Sequence, residues 1–301
     1  MINALRRALQ IVLPIDNAVI RMLNQKRVGM LQRWFNREFH AIVSKWRCVE
    51  ETAESCGNTM DLPIWMVWLQ GEANIPASCQ MYVDSVRRCN PNRDVRILGW
   101  NEAMQLLDLP KYITDGYLQA TLPPALITDY IRFALLEQYG GIWMDCTLFQ
   151  VKETPDVVLD KPMWSVKGLR NFTYASAMPD GLGWQSYYLA SQPHALFNKV
   201  VLDLFDEYFA RYKYAIDYFL VFYLAATARL VPAVRQSYDS IPNNNVRCEQ
   251  LNMVLEDGKL HTAESVKKQL LSADTWFYKG NSHLRGIEQE RMEMILRELV
   301  S

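Results

Sequence analysis

Two aspartates and an arginine stand out for their spacing: Asp129, Arg132 and Asp145. On a helix, Asp129 and Arg132 lie three apart and share a face. Ile127, Ile131 and Leu135 fall on a different stripe, one that can face a sheet. Gly140-Gly141 ends that helix and allows a left-handed turn with close backbone approach. The apolar run Ile142-Trp143-Met144 then carries Asp145 to the C-terminal edge of a strand, where ligands bind in open α/β sheets. Two acids and an arginine, from a helix start and a strand end, therefore converge on one crevice. Such a set suits a nucleotide-activated sugar, which carries a diphosphate, a ribose diol and a hexose rich in hydroxyls. An Asp–Arg pair can hydrogen-bond sugar hydroxyls bidentately. A strand-end carboxylate can hold the ribose, or a divalent cation that bridges the phosphates. Each residue alone has a plainer reading: an acid stabilising a helix start, an i,i+3 ion pair, an Asp in a turn. The three in this order favour the crevice.

The elements that must position these residues are legible on either side. Ile64 to Leu69 is a short apolar run that reads as a buried strand. Ala77 to Cys89 reads as a helix closed by Asn90-Pro91, Val95 to Leu98 as the next strand, and Asn101 to Leu107 as a short helix. Pro123-Pro124 opens a helix over about 125–139. Strand, helix, strand, helix is the pattern of an α/β sheet packed by helices.

The 301 residues include 50% hydrophobic and 22% charged positions, with only 13 Gly and 13 Pro. Disordered and collagen-like architectures are excluded. The net charge of −1 speaks against a nucleic-acid partner. Six cysteines without a C-x-x-C pair, and four histidines, speak against a structural zinc site. Unpaired cysteines and a broken apolar N-terminus lead to the expectation of a cytoplasmic protein. The charge is unevenly spread. Residues 1–50 hold nine Lys/Arg against three acids, a net of +6, which leaves −7 for the rest. Trp34, Phe35 and Phe39 lie beside Arg33 and Arg37 in that segment. It can lie in an anionic membrane surface as amphipathic helices, or pack as a helical cap with its cations solvated.

The stretch D-x-x-R-x-x-x-L-x-x-x-G-G-I-x-x-D-x-x from Asp129 to Thr147 resembles the donor-binding core of DXD-type glycosyltransferases with the GT-A fold. Within these it is similar to the capsular polysaccharide synthesis group of the glycosyltransferase 32-like proteins. Pro63 to Gly71 resembles that family's first strand, Asn90 to Leu98 its second, Ile216-Asp217-Tyr218-Phe219-Leu220 an "IDYFL" segment, and Tyr278-Lys279-Gly280 a terminal "YKG". The resemblance covers roughly residues 60–285. It implies a Rossmann-like, mostly parallel sheet with helices on both faces, and a retaining hexosyltransferase that uses a UDP-sugar. The expected acceptor is a lipid-linked oligosaccharide of a capsule or O-antigen pathway, met by a protein lying on the inner face of the cytoplasmic membrane.

The resemblance also implies roles. Asp129, Arg132, Asp145 and Asp217 are the expected catalytic residues, and Trp68, Gln70, Asp145 and Lys279 the expected donor-binding ones, with Trp68 stacking on the base and Lys279 neutralising the departing diphosphate. Where relatives read D-x-D, this chain reads Asp145-Cys146-Thr147. A Mn2+ or Mg2+ ion would then be held by Asp145 and Thr147, with Asp274 supplying the missing oxygen. Asp217 is surrounded by Tyr214, Tyr218, Phe219, Phe222 and Tyr223, so this acid needs either a partner or a purpose. His194 and His283 read as structural. The loop 179–184 is either a lid or a surface turn. The expected organisation is a basic helical segment over 1–58, a GT-A domain over 59–285 and a terminal helix over 286–301. A non-catalytic GT-A-like donor-binding or scaffold protein of a polysaccharide synthesis complex is the competing reading.

Overall fold

A computed structural model of the chain describes residues 17–55, 57–170, 172–256, 263–270, 274–281 and 286–300. Residues 1–16 of the basic segment, and His283, lie outside the described residues. The first described elements are α1 (Ala18–Glu38) and α2 (His40–Trp46), and the sheet is entered through β1 (Ile64–Val67). Next come α3 (Ala77–Cys89), β2 (Val95–Leu98), α4 (Trp100–Leu106), α5 (Lys111–Leu118) and α6 (Pro124–Tyr139). Strands β3 (Gly141–Met144), β4 (Leu148–Gln150), β5 (Met163–Ser165) and β6 (Tyr188–Ser191) follow. The remainder is α7 (Leu196–Arg211), α8 (Leu220–Ala228), α9 (Pro232–Asp239), α10 (Gln250–Glu256), α11 (Ala263–Leu270), β7 (Phe277–Lys279) and α12 (Ile287–Val300).

The main sheet has the order β2-β1-β3-β6-β5. β1 pairs in parallel with β2 and β3, whereas β6 pairs antiparallel with both β3 and β5. One strand is therefore reversed in a sheet whose other four run the same way, which is the mostly parallel α/β arrangement expected of a GT-A domain. β1 and β3 are buried along their whole lengths, as continuous apolar runs between helical layers must be. A separate two-stranded ladder pairs β4 with β7. It packs with α3 and the C-terminal helices around Tyr82, Phe149, Tyr278 and Ile295.

The turn from α6 into β3 depends on both glycines. Gly140 has φ 64° and Gly141 φ 104°, a region that side chains with a Cβ rarely adopt. A Cβ on Gly141 would stand 2.4 Å from the Pro63 carbonyl oxygen, so β3 could not pair beside β1. Trp65 Nε1 closes the junction by donating to the Gly140 carbonyl at 2.8 Å.

The basic segment differs from the picture of a helix inserting its aromatics into a membrane. Ile20, Leu23, Asn24, Arg27 and Phe35 form a buried stripe on α1 at helical spacing. Phe35 stacks on Tyr208 and Tyr223, and Phe39 stacks on Phe35. Both rings are fully buried, and Trp34 packs partly buried against them. Tertiary packing thus takes up these rings as a helical cap would, one of the two uses that the charge pattern leaves open. The outer face of α1 keeps Arg21, Lys26, Arg33 and Arg37 exposed, together with Val19, Met22 and Met30. Among the described residues no helix is long and apolar enough to cross a membrane.

Because Phe35 is part of the same core as the sheet, Phe35→Ala should destabilise the whole protein by about 3–5 kcal/mol. Urea denaturation followed by tryptophan fluorescence measures it. A change below about 1 kcal/mol would mean that α1 contributes little to the folded body.

Candidate active site

A cleft of about 750 Å³ opens at the C-terminal ends of β1 and β3. Val67 and Trp68 follow from β1, Asp129 and Arg132 project from α6, and Asp145, Cys146 and Thr147 follow β3. Phe172, Tyr174, Tyr187, Tyr218, Phe219 and Phe222 supply aromatic walls, and Lys279 closes the floor from β7.

Charged groups alternate in sign across that floor. Asp129 accepts from Arg132 Nη1. Arg132 Nη2 donates to Asp145 Oδ1 at 3.1 Å. Lys279 Nζ donates to Asp145 Oδ2 at 3.2 Å and to Thr147 Oγ1 at 2.6 Å. Trp143 Nε1 adds a further donor to Asp145 Oδ1 at 2.9 Å, while its ring lies 4.7 Å from the Arg132 guanidinium carbon. Arg132 comes from the middle of α6 and is 5% exposed in its side chain, so its charge is compensated by the two carboxylates.

The local chain explains this convergence. Pro124 occupies the first turn of α6, where a missing N–H costs nothing. Asp129 and Arg132 then share one face, and the glycine turn returns the chain beside it. The Asp145 N–H is fixed to the Tyr187 carbonyl at 3.0 Å. Lys279 arrives through the β4–β7 ladder, in which it faces Leu148. Gly280 N donates to the Thr147 carbonyl at 2.8 Å, and Lys279 N to the Cys248 carbonyl at 2.7 Å.

Burial pushes the Asp129 carboxyl up to about 6, with Arg132 pulling it down and Asp145 pushing it further up. Burial acts on Asp145 in the same direction, but Lys279 and Arg132 outweigh it, and Asp145 stays below the ordinary carboxylate range. The opposite shifts of these neighbouring carboxylates follow from their unequal share of the two cations. The Cys146 thiol is pushed up to about 12, chiefly by burial. Its Sγ donates to the Val67 carbonyl at 3.5 Å, so this middle residue of the motif is packing and not a thiolate.

Of the expected site residues, Trp68, Asp129, Arg132, Asp145, Thr147 and Lys279 all line the cleft. Three others do not. Asp217 turns away to pair with Arg27 of α1 and to accept from Phe219 N at 2.9 Å. Its apolar surroundings reflect a buried ion pair, and it fixes the loop that presents Tyr218 and Phe219. Gln70 is exposed in the turn after β1, where its carbonyl accepts from Asn74 Nδ2 at 2.6 Å. Asp274 is exposed on the turn before β7, outside the cleft wall. The expected trio Asp145, Thr147 and Asp274 therefore does not assemble. Among the described residues no group of three or more His, Cys, Asp or Glu could hold a metal ion.

The loop 179–184 is a pinned turn. Asp180 accepts from Arg229 at 2.6 Å and from Tyr238 at 2.6 Å, and Trp184 is fully buried. His194 bonds Glu137 at 3.0 Å, outside the cleft wall. Glu249, Tyr187 and Tyr174 line the cleft without having been anticipated. Glu249 precedes a short helix and has no local motif. Its sequence neighbour Cys248, whose carbonyl holds Lys279, and a side-chain hydrogen bond with Tyr187 bring it there.

The raised Asp129 carboxyl has a thermodynamic consequence. Between the ordinary carboxylate pKa and about 6, the folded protein keeps a proton that the unfolded chain has released. Wild-type stability must therefore fall through this group as pH rises across that window. Asp129→Asn lacks this titration. Its melting temperature relative to wild type should rise across the window and level off above it. A difference that is flat or falls would show that Asp129 is not held above its ordinary value.

The chain is 34% identical over 92 residues to the glycosyltransferase afumC of Aspergillus fumigatus, a match over 27% of this chain and 23% of that protein. It thus spans less than a quarter of that curated relative's length. Among solved structures, the PaToxG glycosyltransferase aligns at 16% identity over 93% of this chain and 97% of that one, with a TM-score of 0.42. The galactosyltransferase LgtC, solved with donor and acceptor sugar analogues, aligns at 12% identity over 80% of this chain and 97% of that one, also with a TM-score of 0.42. The profile of the capsular polysaccharide synthesis proteins matches residues 16–294, which take in both the N-terminal helices and every wall of the cleft, and the chain belongs to that family.

Proposed function

We propose that this chain is a glycosyltransferase that moves a hexosyl group from a UDP-sugar to a hydroxyl of a lipid-linked surface-polysaccharide acceptor, with retention at the anomeric carbon. The observation that carries this reading is the alternating line Asp129–Arg132–Asp145–Lys279–Thr147 on the floor of an aromatic-walled cleft. A volume of about 750 Å³ falls within the range of pockets that enclose a ligand of this size. Arg132 and Lys279 face the negative diphosphate, Trp68 offers a ring to the base, and Asp129 and Asp145 accept from ribose and sugar hydroxyls. In the transfer the acceptor oxygen bonds to the anomeric carbon. The bond from that carbon to the β-phosphate oxygen breaks, its electron pair stays on the phosphate, and the hydroxyl proton passes to the departing phosphate. The protein's part is to orient both substrates and to stabilise charge on the leaving group.

A lipid-linked acceptor fits the outer face of α1. Arg21, Lys26, Arg33 and Arg37 are exposed there with Val19, Met22 and Met30. The inner face of the same helix borders the cleft wall. Arg27 Nη2 donates to the Ala177 carbonyl at 2.9 Å, and Asn24 Nδ2 to Ser176 Oγ at 3.2 Å. A surface-bound enzyme would meet a membrane-anchored acceptor at raised effective concentration. The neutral Thr147 in place of an acid is the feature that favours the non-catalytic alternative, in which a nucleotide sugar binds without turnover.

Incubation with a panel of UDP-sugars, followed by release of UDP, separates the two readings. Slow hydrolysis of at least one donor is expected. Asp145→Asn should lower that rate by about 100-fold or more while the circular dichroism spectrum stays unchanged. Near wild-type turnover in this variant would remove Asp145 from the mechanism. Flotation with anionic vesicles tests the surface, and binding should weaken with salt as cations on α1 are screened. Replacement of Arg21, Lys26, Arg33 and Arg37 by Gln should abolish it. Protein that stays at the bottom of a low-salt gradient would leave α1 as a cap alone.

A further inference from the structure

A divalent ion is the usual companion of a D-x-D motif, and the side chains of this cleft do not fit one. Asp145 is the single carboxylate of the Asp145-Cys146-Thr147 motif, and both of its oxygens are already taken. Oδ1 accepts from Arg132 at 3.1 Å and Trp143 at 2.9 Å, while Oδ2 accepts from Lys279 at 3.2 Å. The ammonium of Lys279 also reaches Thr147 Oγ1 at 2.6 Å. A positive charge that belongs to the chain therefore sits between the first and third positions of the motif. A divalent ion bound to Asp145 Oδ2 would stand in contact with that ammonium and near the Arg132 guanidinium, and the motif has no second acid to offset that repulsion.

The placement of Lys279 is built into the backbone. Its strand pairs with β4 so that Lys279 faces Leu148, the residue after Thr147. The main-chain bonds from Gly280 N to Thr147 O, at 2.8 Å, and from Lys279 N to Cys248 O, at 2.7 Å, fix both sides of it. The side chain runs over the Tyr187 ring, with Nζ 5.1 Å from its centroid, and remains 21% exposed to the cleft. The ammonium is thus held at the floor yet open to a ligand above it. Thr147 suits this neighbour, since a hydroxyl accepts from an ammonium and adds no charge.

We infer that Lys279, with Arg132 beside it, takes the place of the divalent cation and binds the diphosphate of the donor directly. This rests on the transferase reading above. It assigns to Lys279 the charge that stabilises the UDP leaving group as the bond from the anomeric carbon to the β-phosphate oxygen breaks. The step consumes no metal and moves no proton through the lysine.

Calorimetric titration of the full chain with UDP, in EDTA and again in Mn2+, tests this. The dissociation constants in the two buffers should agree within about threefold. Lys279→Met should weaken binding in EDTA by about tenfold or more, the value of one charged hydrogen bond, and Lys279→Arg should restore part of it. Melting temperatures of both variants verify that they fold. The double variant Thr147→Asp with Lys279→Ala recreates two acids without the ammonium, and its UDP binding should become dependent on Mn2+. Wild-type binding that needs Mn2+, or a Lys279→Met variant that folds and binds UDP as tightly as wild type, would overturn the inference and leave the transferase reading standing. Absence of UDP binding in both buffers would overturn the two together.

Discussion

The carboxylate of Asp145 is the constraint on which the cleft depends. It accepts from Trp143 of its own strand, from Arg132 of α6 and from Lys279 of β7. A buried charge is tolerated only when its partners are all in place. The buried Arg132 therefore needs α6 and β3 brought together, and the partly exposed Asp145 and Lys279 add β7 to the same cluster. Arg132 needs Asp129 for the same reason, and that need ties the start of α6 to the end of β3. The small β4–β7 ladder gives Leu148 and Phe277 to the core of the main sheet and Phe149 and Tyr278 to a second apolar cluster, and the Asp145–Lys279 ion pair adds a polar link between the two sheets.

The N-terminal helices enter this arrangement from the other side. Phe35 and Phe39 lock α1 onto Tyr208 and Tyr223, and Arg27 reaches across to Asp217. Asp217 then caps Phe219 N, and the loop between α7 and α8 presents Tyr218 and Phe219 to the cleft. Tyr218 is 81% exposed there, a large ring held at the mouth by a buried ion pair one residue away. A segment that reads as an appendage in this way supports, from behind, the loop that forms part of the cleft wall. Its outward face is left with cations that have no such internal duty.

Exchange of an acid for Thr147 changes the electrostatics of the motif more than its geometry. A second acid would draw a cation from solvent to sit between the two carboxylates. With a hydroxyl in that position, the described cations beside Asp145 are Arg132 and Lys279, both tethered by the chain. The ladder that pairs β4 with β7 provides Lys279, at a distance fixed by main-chain hydrogen bonds.

Much of the cleft was legible because its residues are close in sequence and obey local rules. Asp129 and Arg132 share a helix face by periodicity, Gly140-Gly141 forces the turn by its positive φ values, and an apolar run delivers Asp145 to a strand end. These features follow from backbone sterics and side-chain spacing, which act within a few residues. What periodicity leaves open is the identity of the surface that covers an apolar face. The stripe of α1 reads the same whether lipid or Tyr208 and Tyr223 receive it, and only the folded chain decided for the rings. The same holds for charge. Asp217 looked like a catalytic acid until Arg27 was brought beside it, and Asp274 looked like a metal ligand until β7 placed Lys279, and not Asp274, over Thr147. Such partners lie more than 100 residues apart in the chain, as the 132-residue separation of Lys279 and Thr147 shows. A desolvated charge dictates that it must be paired, but not by which residue, and that choice belongs to the tertiary structure.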